Sequence, residues 1–262
     1  MLPKAYIDQW KLHSSWQLDE FVEQDLILTR LLIELYSNKL ISENLAFRGG
    51  TALHKLFLKN PQRYSEDLDF VQIKAGEIGT VLTEIRKIVK QIIPAVPKYK
   101  KSISNNTLIY SYNAENPPYA KMKIKIETNT REHFAVDGIN NFNLKCQSDW
   151  FTGSAYISTF STEELLSTKL RALYQRKKGR DLFEIWTASE LDPDFGKTVK
   201  IFKVYLNNEN LIITKKEFLD NLTAKINDPV FQKDIKPLIL NSSDYDPVEA
   251  FEFVKNKYLS YL

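Results

Sequence analysis

The stretch "RGGTALHKLFLKNPQRYSEDLDF", residues 48–70, decides how this chain is read. The short apolar run "NLAF" before it ends at Gly49–Gly50, the pattern of a strand running into a turn. Thr51 is then expected to cap a short helix, "ALHKLFL", that stops at Asn60–Pro61. Further on, "EDLDFVQI" sets Leu68 and Phe70 against Asp67 and Asp69, the period of a strand. Residues i and i+2 of a strand share a face, so both carboxylates point to one place. There they repel and raise each other's pKa unless a cation lies between them. Mg²⁺ is the natural hard cation for oxygen ligands and bridges readily to phosphates. Taken alone, a D-x-D reads first as a solvated acidic edge strand. Gly-Gly-Thr at a helix start can offer backbone N–H groups and a hydroxyl to phosphate oxygens, aided by the helix's positive end. On its own, it reads first as a tight strand-to-helix turn. A phosphate cradle followed by a strand with a cation-binding pair points to a nucleoside triphosphate site. The G-x-x-x-x-G-K-[ST] order of a Walker A loop is absent.

Composition limits the classes of protein this can be. Of 262 residues, 43% are hydrophobic, enough for one large domain or two small ones. Charged residues make up 26%, as in ordinary globular chains. The formal charge of +3, from 36 Lys+Arg against 33 Asp+Glu, neither demands nor excludes a nucleic acid. Cys146 is the single cysteine, so the chain forms no internal disulfide and no Cys-rich zinc site. "MLPKAYIDQWKLHSSW" has no apolar core of a secretory signal, and no run approaches the roughly 20 apolar residues of a bilayer span. The expectation is a cytoplasmic protein with no membrane partner.

Spacing predicts a helix over about 19–39, where Phe21, Leu28, Leu31, Leu32 and Leu35 recur near helical period. A second helix is expected over about 76–93, before the break "PAVPK". "NTLIYSYN" and "YAKMKIKIETN" read as strands, the latter with Met122, Ile124 and Ile126 on one face and Lys123, Lys125 and Glu127 on the other. From Ser161 the pattern turns helical, with Ser161 and Glu164 as a capping box and a break at Gly179. The expected fold is α/β (α+β): an α/β first half, residues 1–155, and a mainly helical second half, residues 156–262.

Residues 48–70 resemble the signature of the DNA polymerase beta-like nucleotidyltransferase superfamily, in which a Gly-Gly or Gly-Ser turn precedes a D-x-D strand. The fuller "GGTAL…R-x-S-E-D-L-D-F" resembles AbiEii-type nucleotidyltransferases, toxins of bacterial toxin–antitoxin and abortive-infection modules. The resemblance implies a mixed sheet flanked by helices. It also implies one or two Mg²⁺ ions, an NTP substrate, an RNA acceptor such as a tRNA 3′ end, and a cognate antitoxin. Gly49, Gly50, Thr51, Arg63 and Ser65 would contact the nucleotide, and Asp67 and Asp69 the metal. Such a site takes a third carboxylate on a neighbouring strand as base and metal ligand, and Glu127 in "KIKIETNTRE" answers to it. A salt-bridged strand surface explains Glu127 as well, since Lys123 and Lys125 share its face.

Downstream, "TKLRALYQRKKGRDLFEIW" resembles the family's "K-x-x-A-L…R-x-K-x-R-D-L-x-D". Lys169 answers to the lysine that grips the triphosphate, and Asp181 to the motif's aspartate, which supports the site or orients Lys169. Glu184 stands where the family usually has Asp. Arg171, Arg176, Lys177, Lys178 and Arg180 form the densest basic run, either a solvated helix face or a seat for an RNA backbone. His13, His54 and His133 are too scattered for a metal pair, and Cys146 has no neighbouring base to activate it. The functional expectation is Mg-dependent transfer of a nucleoside monophosphate to an acceptor hydroxyl. Two alternatives remain: modification of a small molecule or protein on the same fold, and a non-catalytic nucleotide-binding module. Asp67, Asp69 and Lys169 argue against the latter, because mere binding does not need two repelling carboxylates.

Overall fold

A computed structural model describes residues 2–59, 63–240 and 245–262. The chain divides into two compact units: Met1–Leu56, Tyr64–Phe134 and Ile139–Phe160 form the first, and Phe57–Arg63, Ala135–Gly138 and Ser161–Leu262 the second. Asn60–Pro61, the expected helix stop, lies outside the described residues.

The first unit begins with helices α1 (Lys4–Lys11), α2 (Asp19–Tyr36) and α3 (Lys39–Ser42), then strand β1 (Leu45–Arg48), helix α4 (Gly49–Leu56), strand β2 (Asp67–Gln72) and helix α5 (Gly79–Ile92). Strands β3 (Lys98–Lys101), β4 (Asn105–Asn113), β5 (Lys121–Asn129), β6 (Asn140–Gln147) and β7 (Thr152–Thr159) complete it. Among the described residues they form one seven-stranded sheet in the order β3-β4-β5-β2-β1-β7-β6. The β1–β7 and β2–β5 pairs are parallel and the others antiparallel. Alternation assigns the two faces. Leu68, Phe70, Leu108, Tyr110, Ile124 and Ile126 are buried on one of them. There α2 is bound to strand carbonyls: Gln24 donates to Lys123 O at 3.0 Å and Tyr36 Oη to Leu45 O at 3.1 Å.

The sequence expectations for α2, α5, β1, β2, β4 and β5 match these elements to within a few residues. The β6–β7 hairpin was not expected, because β6 is rich in asparagine, a poor strand former that pairing with β7 overrides. Strand β3 was also not expected; its four residues are exposed, and its lysines suit a sheet edge. Thr51 is not the N-cap: α4 starts two residues earlier, at Gly49, directly after β1.

The second unit carries α6 (Thr162–Gln175), α7 (Gly179–Thr187), a 3-10 turn at Ala188–Leu191, α8 (Phe195–Asn208), α9 (Lys215–Ile226), α10 (Pro229–Lys233) and α11 (Pro247–Lys257). Only half of the expected capping box forms. Ser161 accepts from Glu164 N at 3.2 Å, but the buried Glu164 carboxylate turns to Val136 N and Asp137 N, both at 2.8 Å, and to Tyr205 Oη. It thereby ties the 135–138 segment into this unit. Among the described residues, no helix is long and apolar enough to cross a membrane.

Glu23 of α2 is 1% exposed and accepts from Glu115 N at 2.9 Å. Burial pushes its pKa up to about 7, so between about 4.5 and 7 the folded state binds more protons than the unfolded one. Stability from this group therefore falls as pH rises through that window. Glu23→Gln keeps an acceptor for Glu115 N, abolishes the titration, and is expected to raise stability at pH 8 by about 1–3 kcal/mol. Urea denaturation of both proteins at pH 5 and pH 8 checks it; an unchanged pH slope in the variant would refute the assignment.

Candidate active site

In the first unit, register carries Asp67, Asp69 and Glu127 to one face of the sheet. Along the parallel β2–β5 pair, Asp67 stands opposite Lys125 and Asp69 opposite Glu127. The rows continue across the sheet, Asp69 to Arg48 on β1 and Glu127 to Thr107 on β4. Directly opposed residues project to the same side, so the backbone itself assembles the group.

The Gly-Gly turn belongs to it. Gly49 has φ +81°, in the left-handed region, and a Cβ there would come within 2.6 Å of Asp69 Oδ2. Only glycine allows both the turn and the approach of Asp69. Helix α4 therefore starts beside the carboxylates with its N-terminal N–H groups at the end of β1. Lys55 anchors the helix from the other side, its ammonium 2.6 Å from Asp25 Oδ1 and 2.7 Å from Thr29 Oγ1. The Thr51 hydroxyl donates to Asp67 O at 2.7 Å, and Thr51 is 3% exposed. Its side chain thus ties the helix to the D-x-D strand rather than standing open to a ligand. Ser65 is buried too, its Oγ 2.8 Å from His54 Nδ1, a contact between residues distant in sequence that spacing did not reveal.

Lys125 stands among the carboxylates, Nζ 3.1 Å from Asp67 Oδ2 and 3.5 Å from Glu127 Oε2. Burial raises the Asp67 pKa, Lys125 opposes this, and Asp69 adds to it. Burial works against the Lys125 ammonium, yet Asp69, Asp67 and Glu127 hold its pKa above the ordinary lysine value. Glu127 also accepts from Asn105 Nδ2 at 3.0 Å and Thr107 Oγ1 at 3.4 Å. Both readings of β5 thus describe it: a salt-bridged surface and a third carboxylate beside the D-x-D. Arg48 turns to Glu132 at 2.5 Å, in a turn held by the Asn129 side chain.

Among the described residues, no three His, Cys, Asp or Glu side chains are drawn together closely enough to hold a metal ion. The Lys125 ammonium lies beside Asp67 and Glu127 on the face where Asp67, Asp69 and Glu127 are expected to hold the metal. The donor chemistry still suits Mg²⁺: carboxylate oxygens aligned on one face, with the Gly49 turn making room beside Asp69. Two cavities of this unit, about 590 and 850 Å³, are lined by none of these residues.

The second unit gathers a different set. Lys169 is 8% exposed and pairs with Glu184 and, at 3.7 Å, with Asp181 Oδ1. Asp181, fully buried, also receives both arms of Arg176 at 2.6 Å. Arg63 reaches Glu184 Oε1 at 2.7 Å. Lys169 and Asp181 lie within ion-pair distance, and Arg63, expected as a nucleotide contact, pairs with Glu184. Glu184 serves two cations at once, Arg63 through Oε1 and Lys169 through Oε2. The basic run is largely neutralised: Lys177 pairs with Asp228, Lys178 with Asp234 at 3.3 Å, and Arg171 with Glu209 at 2.9 Å. Four of its five charges are thus already paired with carboxylates.

The family model described as nucleotidyl transferase AbiEii toxin, type IV TA system, matches residues 30–257. Among solved structures, the chain is similar to MenT4, a nucleotidyltransferase toxin from Mycobacterium tuberculosis H37Rv. The TM-score is 0.64 at 15% identity, over 100% of this chain and 91% of that one. An antigenic nucleotidyltransferase-like protein from Paracoccidioides brasiliensis aligns with a TM-score of 0.39 at 16% identity, over 84% of this chain and 96% of that one. A comparison with curated protein sequences finds no match.

Proposed function

Since the chain belongs to the AbiEii family of nucleotidyl transferase toxins of type IV toxin–antitoxin systems, we propose that it transfers a nucleoside monophosphate from an NTP to an RNA hydroxyl. The observation that carries this is the cross-sheet row placing Asp69 and Glu127 side by side, with Gly49 packed on Asp69. The triphosphate is assigned to the start of α4, where the N–H groups of a first helical turn can meet phosphate oxygens. Asp67 and Asp69, with Glu127, would hold Mg²⁺, which when bound neutralises phosphate charge. Glu127 takes the proton of the acceptor hydroxyl as its oxygen bonds to the α-phosphorus and the bond to the β-phosphate oxygen breaks, releasing pyrophosphate. Asn105 and Thr107 hold Glu127 in place for this. Lys169 is assigned to the triphosphate and Asp181 to orienting it, a role that requires Lys169 to exchange a carboxylate for a phosphate. An antitoxin is the expected protein partner, and the cytoplasm the expected compartment.

RNA is favoured as acceptor by the lysines sharing the carboxylate face. Lys98 stands opposite Ile109, which stands opposite Lys125; Lys100 stands opposite Thr107, which stands opposite Glu127; Lys121 and Lys123 precede them on β5. All four of Lys98, Lys100, Lys121 and Lys123 are exposed. Alternate strand positions are about 6.7 Å apart, a step suited to successive phosphates of an extended strand.

Incubation with each labelled NTP, Mg²⁺ and bulk bacterial tRNA tests the reading. Label on RNA is expected from the native protein and not from Asp67→Ala/Asp69→Ala. Label on the protein instead would move the acceptor to a side chain. In the same assay, Lys121→Glu/Lys123→Glu is expected to weaken RNA binding at least about tenfold and to lower the salt slope of log K by about 1–2. An unchanged slope would remove these lysines from the RNA surface.

A further inference from the structure

We propose that Lys125 is the tethered counter-cation of Asp67, Asp69 and Glu127, and that it makes uptake of the divalent ion conditional on the nucleoside triphosphate. This rests on the reading of that group as the nucleotide and cation site. The position of Lys125 is a consequence of the sheet. It is the parallel partner of Asp67 and two residues before Glu127, so its side chain must rise among the carboxylates. It contacts one oxygen of each neighbour, at 3.1 and 3.5 Å, and is one-third exposed. Lys123, two residues earlier on the same face, is exposed and stands opposite Ser111. The same charge on the same strand thus occupies two different environments.

Three carboxylates on one half-buried face repel one another, and a cation must offset that repulsion in the free protein. An ammonium held on the strand is present at high effective concentration, so a free divalent ion has to displace it from the oxygens it already serves. The triphosphate alters that balance. It brings its own oxygen ligands to the ion and offers the ammonium a second anion, so Lys125 can leave the carboxylates without becoming unpaired. Ion and nucleotide then favour each other's binding reciprocally. The free protein is thereby kept from taking up metal without substrate.

The test is Mn²⁺ titration of the metal-free protein, read by the loss of free-ion EPR signal, with and without each of the four α,β-methylene NTP analogues. In the absence of nucleotide, Lys125→Gln is expected to bind Mn²⁺ about tenfold tighter than the native protein or more. Lys125→Arg, which keeps the cation, and Lys123→Gln, which removes an equal charge nearby, are expected to stay within about threefold of native. With the accepted analogue, the advantage of Lys125→Gln should shrink to less than about threefold. Lys125→Ala repeats the experiment should the glutamine variant fail to fold by far-UV circular dichroism. If Lys125→Gln and Lys125→Ala bind no tighter than Lys123→Gln while native protein binds Mn²⁺ with an analogue, the proposal is overturned and the site reading survives. If no protein binds Mn²⁺ with any analogue, both fall together.

Discussion

Asp67→Asn and Asp69→Asn are each expected to lower the rate of nucleotide transfer by about a thousandfold or more, without loss of fold. A thousandfold is about 4 kcal/mol of transition-state stabilisation, the scale at which preorganised electrostatic groups act. Each change is nearly isosteric and removes one charge from a face assembled to gather it. Stability should move the other way for Asp67. Burial raises its pKa, so the ionised carboxylate costs stability at neutral pH, and the amide relieves that cost. A variant that is dead in transfer yet as stable as the native protein, or more so, has lost function and not structure. Glu66→Gln, an exposed neighbour one position before β2, is the matched control and should transfer normally. The decisive readout is single-turnover label transfer beside urea denaturation at pH 7.5. If Asp67→Asn and Asp69→Asn both retain transfer within tenfold of native, the carboxylates are not the site.

The second large effect lies in the other unit. Glu184 is 1% exposed and forms ion pairs with Arg63 and Lys169. Glu184→Ala removes the carboxylate that Arg63 and Lys169 share, and Asp181, 3.7 Å from Lys169, is already engaged by both arms of Arg176. Removing one partner from a buried ionic network costs about 3–5 kcal/mol, since the desolvation of the remaining charges is no longer offset. A loss of that size is expected in the chemical denaturation of the second unit. Arg63→Met in the Glu184→Ala background should recover part of it by removing one of the buried cations that Glu184 had offset. A loss below about 1 kcal/mol would mean that water already solvates this cluster.

Much of the site was legible because a strand imposes its own geometry. Asp67 and Asp69 share a face in any strand, and Gly49–Gly50 mark a turn whatever follows. Alternation likewise placed Lys125 and Glu127 together on β5. What alternation could not supply is which strands are neighbours. That β2 lies parallel to β5 in a register setting Asp67 against Lys125 and Asp69 against Glu127 depends on pairing between segments more than fifty positions apart. The same limit hid the contact of Ser65 with His54 and the turn of Glu164 away from its own helix cap toward Val136 and Asp137.

Charge was the least legible property. The densest basic run, at 171–180, is largely neutralised by Glu209, Asp181, Asp228 and Asp234, which tertiary folding brings to it. Lys98 and Lys100 of β3 and Lys121 and Lys123 of β5 stay exposed, aligned in rows with the carboxylates. By itself, then, the sequence determined the residue types, the strand carrying the aspartates and the turn before it, because these follow from local backbone periodicity. Tertiary structure alone decided which charges are paired and which remain open, because an ion pair depends on distance in space, and that distance is set by register and packing between remote segments.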